Sequence, residues 1–230
     1  MATPTIDAAA AEFDQWADAG RAESMADGHG GVTRAALDRW SLNAGHTVLD
    51  VGCGNGWAVR ELLNRGAGRG LGVDISPRMV ALAREEAAED PRYAFEVASA
   101  DALPFDDESV THILNIESLY YYPDPAAAVA EWARVTRPGG RIAILVDLYM
   151  ENPATHVWID ALDIDVHLLS APQLKAMLEE AGWKDVWTEQ VLDPRPLTPE
   201  SDFTLSKYWP SYDLYVSHRE TGALVVHATR

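Results

Sequence analysis

Cysteine is nearly absent: Cys53 is the only one in 230 residues. That excludes an internal disulfide and any site built from several thiolates, and it fits a reducing cytoplasm. Lysine is scarce as well, with Lys175, Lys184 and Lys207 the only three among 18 basic residues. Set against 36 acidic residues, this leaves a formal net charge of −18. The chain has no reserve of cations with which to displace counterions, so nucleic-acid backbones and anionic membranes are disfavoured as partners. No apolar run reaches the ~20 residues needed to span a bilayer. Met1 to Ala11 lack a basic start followed by an apolar stretch, so no secretory leader is expected. Internal repeats and low-complexity linkers are missing too. A composition rich in acids and poor in lysine is similar to that of proteins from salt-accumulating organisms. An acidic protein from a GC-rich genome would share the bias toward arginine, and the salt-adapted reading is the one carried forward.

What the chain does have is concentrated in Val48-Leu-Asp-Val-Gly-Cys-Gly-Asn-Gly56. A short aliphatic run contains an acid and then turns with glycine at every second position. Only glycine lets a backbone bend at positive φ and approach a ligand with no Cβ between them. Trp57 to Asn64 reads as a helix, so the turn joins a strand to a helix N-terminus, where free N–H groups and a partial positive charge lie. This is a cradle for a nucleotide-type cofactor. The dinucleotide fingerprint needs a small residue at the position that Trp57 occupies, which argues against a nicotinamide cofactor. Leu71 to Ser76 looks like a second strand ending in an acid, Asp74, placed to accept ribose hydroxyls. Ser99 to Phe105 follows a third candidate strand and brings Asp101 near an adenine amino group.

A hydrophobic content of 47% over 230 residues supports one α/β domain with both sheet faces covered. Helices are expected at Ile6 to Ala19 and Gly31 to Leu42. Strands and helices then alternate through Thr47–Val51, Trp57–Asn64, Arg69–Val73, Pro77–Ala88, Tyr93–Val97, Val110–Leu114, Pro125–Thr136 and Arg141–Val146. Such alternation argues for a parallel sheet with right-handed crossovers. Beyond Val146 the pattern changes. Asp147 to Leu169 reads as an active-site loop or small cap, and Ser170 to Ala181 as a helix stopped by Gly182. Trp183 to Leu192 is a sixth strand. Asp193 to Pro210 is interrupted by Pro194, Pro196, Pro199 and Pro210, which blocks regular structure. A helix at Ser211 to Glu220 and a strand at Gly222 to Thr229 complete the chain. The organisation is one domain over 1–230, with a helical lid (1–45), a cofactor-binding core (46–146) and a substrate-side cap with the last strands (147–230).

From Val48 to Arg141, and more loosely beyond, the chain resembles the class I S-adenosylmethionine-dependent methyltransferases of the type 11 small-molecule kind. Two further segments carry the resemblance: Asn115-Ile-Glu-Ser-Leu-Tyr-Tyr-Tyr-Pro-Asp-Pro125 after the fourth strand, and Arg137-Pro-Gly-Gly-Arg141 before the fifth. The resemblance implies a Rossmann-like seven-stranded, mostly parallel sheet with helices on both faces and an antiparallel last strand between strands five and six. It implies that Gly52 to Gly56 hold the methionine half of the cofactor, Asp74 its ribose and Asp101 its adenine. The expected cofactor contacts are Asp50, Gly52, Cys53, Gly54, Asn55, Gly56, Asp74, Ile75, Met79, Asp101, Ala102, Asn115, Ile116 and, from the lid, Arg21, whose cation suits the cofactor's carboxylate.

Methyl transfer from a sulfonium is an in-line substitution on an electrophile that is already activated, so the protein mainly orients and dries the reactants. A base is needed only if the nucleophile arrives protonated. Ligands sit beyond the carboxyl ends of parallel strands, which nominates Asn115, Glu117, Asp147 and the Tyr120–Tyr122 run. Tyr121 stands where similar sequences often carry histidine and is the first choice to face the cofactor. His167, in the irregular segment with His156, is the candidate titratable group. No H-x-x-x-H or clustered acid–histidine motif occurs along the chain, so no metal is expected. The reading is methyl transfer to a small organic acceptor. The alternatives are a nucleic-acid or protein methyltransferase, which the lack of an Asn/Asp-Pro-Pro-Tyr motif and the acidity disfavour, a nicotinamide-dinucleotide oxidoreductase, and a cofactor-binding module without catalysis.

Overall fold

The computed structural model describes residues 5–230; the leader expectation rests partly on residues 1–4, which lie outside the described residues. Seven strands form one sheet: β1 (Thr47–Val51), β2 (Arg69–Asp74), β3 (Tyr93–Val97), β4 (Val110–Ile116), β5 (Thr136–Val146), β6 (Lys184–Val191) and β7 (Ala223–Thr229). Their order is β3-β2-β1-β4-β5-β7-β6. Strands β1 to β5 pair in parallel, and β7 runs antiparallel between β5 and β6. The sheet direction of travel reverses between β1 and β4, which puts a ligand crevice at the carboxyl ends of those two strands.

The helices are α1 (Ile6–Asp18), α2 (Arg21–Leu37), α3 (Trp57–Asn64), α4 (Pro77–Ala87), α5 (Pro125–Val135), α6 (Val157–Ala161), α7 (Ala171–Glu180) and α8 (Tyr212–Thr221). Alternation along each strand feeds two cores, because successive side chains point to opposite faces. Leu49 and Val51 join Trp132, Ile113 and Leu174 on one face, while Val48 joins Val59, Leu62 and Leu114 on the other. Central strands buried on both sides need such continuous apolar runs. Among the described residues no helix is long and apolar enough to cross a membrane.

Local signals place the helix starts. Ser76 Oγ accepts from Met79 N at 3.0 Å and Pro77 follows. Asp124 accepts from Ala127 N at 2.9 Å with Pro125 next. Ser170 and Gln173 form a reciprocal capping box. Each such cap is worth about 1 kcal/mol.

Two elements differ from the sequence expectation. The second helix begins at Arg21, ten residues before the expected Gly31, and runs through Gly28, Gly30 and Gly31. Three glycines are poor helix formers, and tertiary packing overrides them. A Cβ on Gly31 would lie 2.7 Å from Asp193 Oδ1, so the bare backbone there lets the loop after β6 close against α2. Strand β5 begins at Thr136 instead of Arg141, with a register shift between the pairs at Val110 and His112 that absorbs the Pro-Gly-Gly turn.

Candidate active site

The glycine turn and Asp74 brace each other. Gly54 has φ +51°, and its amide donates to Asp74 Oδ2 at 2.9 Å, while Ser76 N donates to Asp74 Oδ1 at 2.9 Å. A Cβ at Gly54 would meet nothing nearer than Met25 Cε at 4.0 Å, so this position opens onto the cavity above the turn. Below it, Asp50 is buried with Oδ1 lacking any hydrogen-bond partner. Burial, then the charge of Asp74, push the Asp50 carboxyl up to about 8. Burial also raises Asp74, against the lowering effect of the amides that bind it.

The cavity has a volume of about 650 Å³. Of the residues expected at the site, Arg21, Asp50, Gly52, Cys53, Gly54, Asn55, Asp74, Met79, Ile116 and Tyr121 line it. Ile75 and Asp101 line a smaller cleft that shares Gly52, Asp74 and Tyr121 with the cavity, on the side expected for adenine. Asn115, Gly56, Ala102 and His167 line neither. Asn115 sits beneath the turn, where its amide donates to Val51 O at 2.7 Å, Ser118 Oγ at 2.6 Å and Tyr122 OH at 3.0 Å. Gly56 faces Phe95 and Ala83, so its bare Cα serves helix–sheet packing. Ala102 lies exposed in the turn after Asp101. His167 is tied by its amide to Tyr120 O at 2.8 Å, and its ring Nε2 is buried without a partner. Tyr121 packs edge-on to Phe13 at 5.1 Å and to Trp16 at 6.5 Å, joining α1 to the core. Burial raises its hydroxyl well above the ordinary tyrosine range. Arg21 stacks over Trp16 at 4.0 Å and donates to Tyr208 OH at 2.8 Å, leaving other guanidinium N–H groups for the cavity.

Beyond the turn, the far half of the cavity is walled by residues from separate parts of the chain. Trp158 packs against Trp209 at 5.1 Å, and His218 lies 5.0 Å from Trp209 and 5.7 Å from Trp158. The loop carrying Tyr208 and Trp209 is held by Trp158 Nε1, which donates to Tyr208 O at 2.9 Å. Arg195 clasps α2 by donating to the carbonyls of Asp27 and Gly28.

Between the two halves lies a carboxylate–histidine group. His29 Nδ1 is 3.5 Å and His218 Nε2 is 3.9 Å from the Asp147 carboxylate. Glu117 accepts from Asp147 N at 2.6 Å and from Tyr120 OH at 2.9 Å. Glu117 also has φ +50°. A non-glycine residue in that region costs on the order of 1–3 kcal/mol, a strain that clusters at functional sites. Burial, and then Asp147, push the Glu117 carboxyl above the usual carboxylate range. Burial would raise Asp147 too, but the two histidines outweigh it and hold it below the usual carboxylate range. Burial lowers His29, yet Asp147 and Glu117 beside it bring it above its ordinary value. The strand-end rule nominated Glu117 and Asp147. It missed His29, because the helix that carries it was read from Gly31 onward, and His218, which arrives from α8 near the chain's end. The linear sequence shows no acid–histidine motif, but folding brings His29, Glu117 and Asp147 together, a grouping that no spacing along the chain announces.

A seven-stranded sheet with this order and a glycine turn braced by the acid after β2 define a class: the chain belongs to the class I S-adenosylmethionine-dependent methyltransferases, and it is a methyltransferase. The model of a methyltransferase domain family matches residues 49–144. The chain is 36% identical over 180 residues to the methyltransferase GfsG of Streptomyces halstedii, covering 74% of itself and 64% of that protein. It is 30% identical over 198 residues to the 27-O-demethylrifamycin SV methyltransferase of Amycolatopsis mediterranei, covering 82% of itself and 69% of the relative. It thus spans about two thirds of the length of both. Among solved structures it is similar to a chain from the complex between the Haloferax volcanii Trm112 methyltransferase activator and a methyltransferase, with 33% identity, a TM-score of 0.86, and coverage of 95% of this chain and 97% of that one.

S-Adenosylmethionine fits the residues present. The cofactor carries an ammonium and a sulfonium, and the turn offers two buried carboxylates, one with an oxygen that nothing satisfies. A buried acceptor without a donor is costly, and a cationic ligand at the turn relieves that cost. The open face of Gly54 supplies the space.

Proposed function

We propose that this chain transfers the methyl group of S-adenosylmethionine by in-line substitution to a hydroxyl of a small, largely apolar organic acceptor. The observation that carries this reading is the continuity of one cavity from Gly54 and Asp74, past Glu117 and Asp147, to the aromatic wall of Trp158, Tyr208 and Trp209. The cofactor supplies a methyl group on an activated sulfur. Gly52 to Gly54, Asp74 and Asp101 hold it, with Arg21 on its carboxylate. The aromatic wall buries the acceptor's flat apolar faces, and the polar group in between is where an acceptor hydroxyl loses its proton. Tyr121 and the lid helices exclude water above the transfer path.

A name that places the methyl on oxygen for the Amycolatopsis relative supports oxygen as the acceptor atom. The net charge of −18 and a lid clasped at Arg195 argue against a nucleic-acid strand in this cavity. The acidic, lysine-poor surface supports work in a salty cytoplasm. The test is S-adenosylhomocysteine formation against a panel of hydroxylated aromatic and polyketide-like compounds, with RNA and protein fractions as controls. Turnover confined to small hydroxylated compounds supports the reading. Methyl incorporation into RNA or protein alone overturns it. Co-purification with a Trm112-type activator from a shared expression host tests whether this chain shares the partner of the Haloferax relative.

A further inference from the structure

We infer that His29, Glu117 and Asp147 form a divalent-cation site between the two halves of the cavity. One ring nitrogen and one oxygen from each carboxylate lie within 4.8 Å of one another. The three come from different elements: His29 from α2, Glu117 from the turn after β4 and Asp147 from the end of β5. All three line the cavity wall, so an ion held here keeps positions open toward the space that the acceptor fills. Three protein ligands with open positions is the arrangement of catalytic, not structural, metal sites.

Three features of the group suit a bound cation. The first is charge. Two acids stand side by side, with Asp147 only 7% exposed, and among the described residues no lysine or arginine is ion-paired with either. Like charges at this separation are costly in a low-dielectric setting unless a cation or a proton intervenes.

The second is backbone strain. Glu117 holds a left-handed conformation with φ +50°. That conformation sets its carboxylate between the Asp147 amide and the Tyr120 hydroxyl. Both of these donors bind the carboxylate through one lone pair per oxygen and leave the others free for an ion. Donors of this kind fix ligating carboxylates in metal sites.

The third is the way Asp147 is oriented. Asn152 Nδ2 lies 3.2 Å from His218 Nδ1, an amide donor that selects the tautomer with hydrogen on Nε2. His218 Nε2 then faces Asp147 Oδ1 at 3.9 Å, beyond hydrogen-bond length, with its lone pair replaced by an N–H, so it does not compete to be a ligand. His29 Nδ1 faces the other oxygen at 3.5 Å. An ion entering between them takes the place of the proton on His29 Nδ1.

The donor set, one imidazole and two carboxylates with no thiolate, suits Mn²⁺, Fe²⁺ or Zn²⁺. This site rests on its own geometry. Its test needs neither the acceptor nor turnover, so it can fail while the methyltransferase reading stands.

The experiment uses the full chain and Mn²⁺ as probe, followed by electron paramagnetic resonance and calorimetry. A background of 0.5 M KCl suppresses loose association with the acidic surface. One Mn²⁺ should bind per chain, displaceable by Zn²⁺. The affinity should fall at least tenfold in His29→Gln, Glu117→Gln and Asp147→Asn, and stay unchanged in the exposed control Asp106→Asn. S-Adenosylhomocysteine binding by each variant, measured in parallel, confirms that it is folded. If Asp147→Asn does not fold, His29→Gln decides alone, since the His29 side chain is partly exposed. The inference is overturned by a wild-type chain that takes up neither Mn²⁺ nor Zn²⁺ at millimolar concentration, or by affinity equal in wild type and His29→Gln. Either result leaves protons, not an ion, between the two acids.

Discussion

The two halves of the cavity are built on different plans. The cofactor half comes from contiguous segments, Asp50 to Asn55 from the end of β1 into the turn and Asp74 to Met79 from the end of β2 into α4, with Asp101 after β3 in the adjoining smaller cleft. Its parts are main-chain donors and short acids at strand ends, fixed by ladder hydrogen bonds to neighbouring strands. Both the Gly52 and Cys53 amides donate to Val73 O, at 2.8 and 2.9 Å. The other half, proposed above to take the acceptor, comes from α2, the strand ends, the segment after β5, the loop after β6, and α8. It is fastened by side chains such as Arg195 and Trp158. A half made of backbone can serve one ligand only, whereas a half made of side chains on loops can be rebuilt for new acceptors while the sheet stays unchanged.

The largest break in that contrast should come at Gly54. Its φ is +51° and its open side faces the cavity, so Gly54→Val puts a branched side chain into both a strained conformation and the ligand's space. We expect no measurable binding of S-adenosylhomocysteine in a calorimeter; normal binding would mean that the cradle lies elsewhere. Next, Asp74→Ala removes a carboxylate that accepts from the turn and that the proposed function places on ribose. Charge-assisted hydrogen bonds are worth roughly 1.5–3 kcal/mol each, so affinity should drop at least about tenfold while the melting curve remains cooperative. A smaller loss is expected in the other half. Trp209→Ala removes an aromatic contact worth about 0.5–1.5 kcal/mol beyond its area. It should raise KM for the acceptor about three- to tenfold, and an unchanged KM would take Trp209 out of the acceptor wall.

Asp50 gives a prediction about pH. Its folded carboxyl sits at about 8, against the ordinary 3.8. The native chain therefore holds a proton that the unfolded chain has lost between those values, and stability falls as pH rises through that window. A cofactor ammonium favours the ionised carboxylate and pulls the value back down. Binding of S-adenosylhomocysteine at pH 7 should then release a proton, approaching one per site, measured from the dependence of the calorimetric enthalpy on the buffer's ionisation heat. Zero release or net uptake would show that no cation of the ligand reaches Asp50.

The cofactor half was legible in the sequence because it depends on local chemistry. Glycines at Gly52, Gly54 and Gly56 all take positive φ, between +51° and +78°. Serine and aspartate caps stand where the helices begin. Even so, Gly56 and Asn115 proved to be supports rather than lining, a distinction set by which way a Cα or an amide points. The acceptor half was opaque for a physical reason. His29 and Asp147 are 118 residues apart and meet where α2 packs beside the loop at Asp193, an approach that the bare Cα of Gly31 permits. Spacing rules see helical or strand periods, not a contact made through a bare Cα. The segment after β5 was read as an active-site loop or cap, and its Trp158 does line the cavity, whereas His167 is committed to the backbone beside Tyr120.

Salt should have the smallest effect. The Debye length shrinks from roughly 10 Å at 0.1 M to about 3 Å at 1 M, which screens repulsion among exposed acids. A gain of about 1–2 kcal/mol corresponds to about 2–8 °C in Tm for a chain of this size. We expect that rise in KCl; a flat or falling Tm would remove the salt-adapted reading and leave both halves of the cavity as described.

The central claim is that cofactor affinity belongs to the backbone-built half and acceptor affinity to the side-chain-built half. Titrating S-adenosylhomocysteine into wild type, Asp74→Ala and Trp209→Ala tests it in one calorimetric series. The account predicts a Kd at least about tenfold weaker for Asp74→Ala, and one within about twofold of wild type for Trp209→Ala. Equal losses in the two variants, or a loss confined to Trp209→Ala, would contradict it.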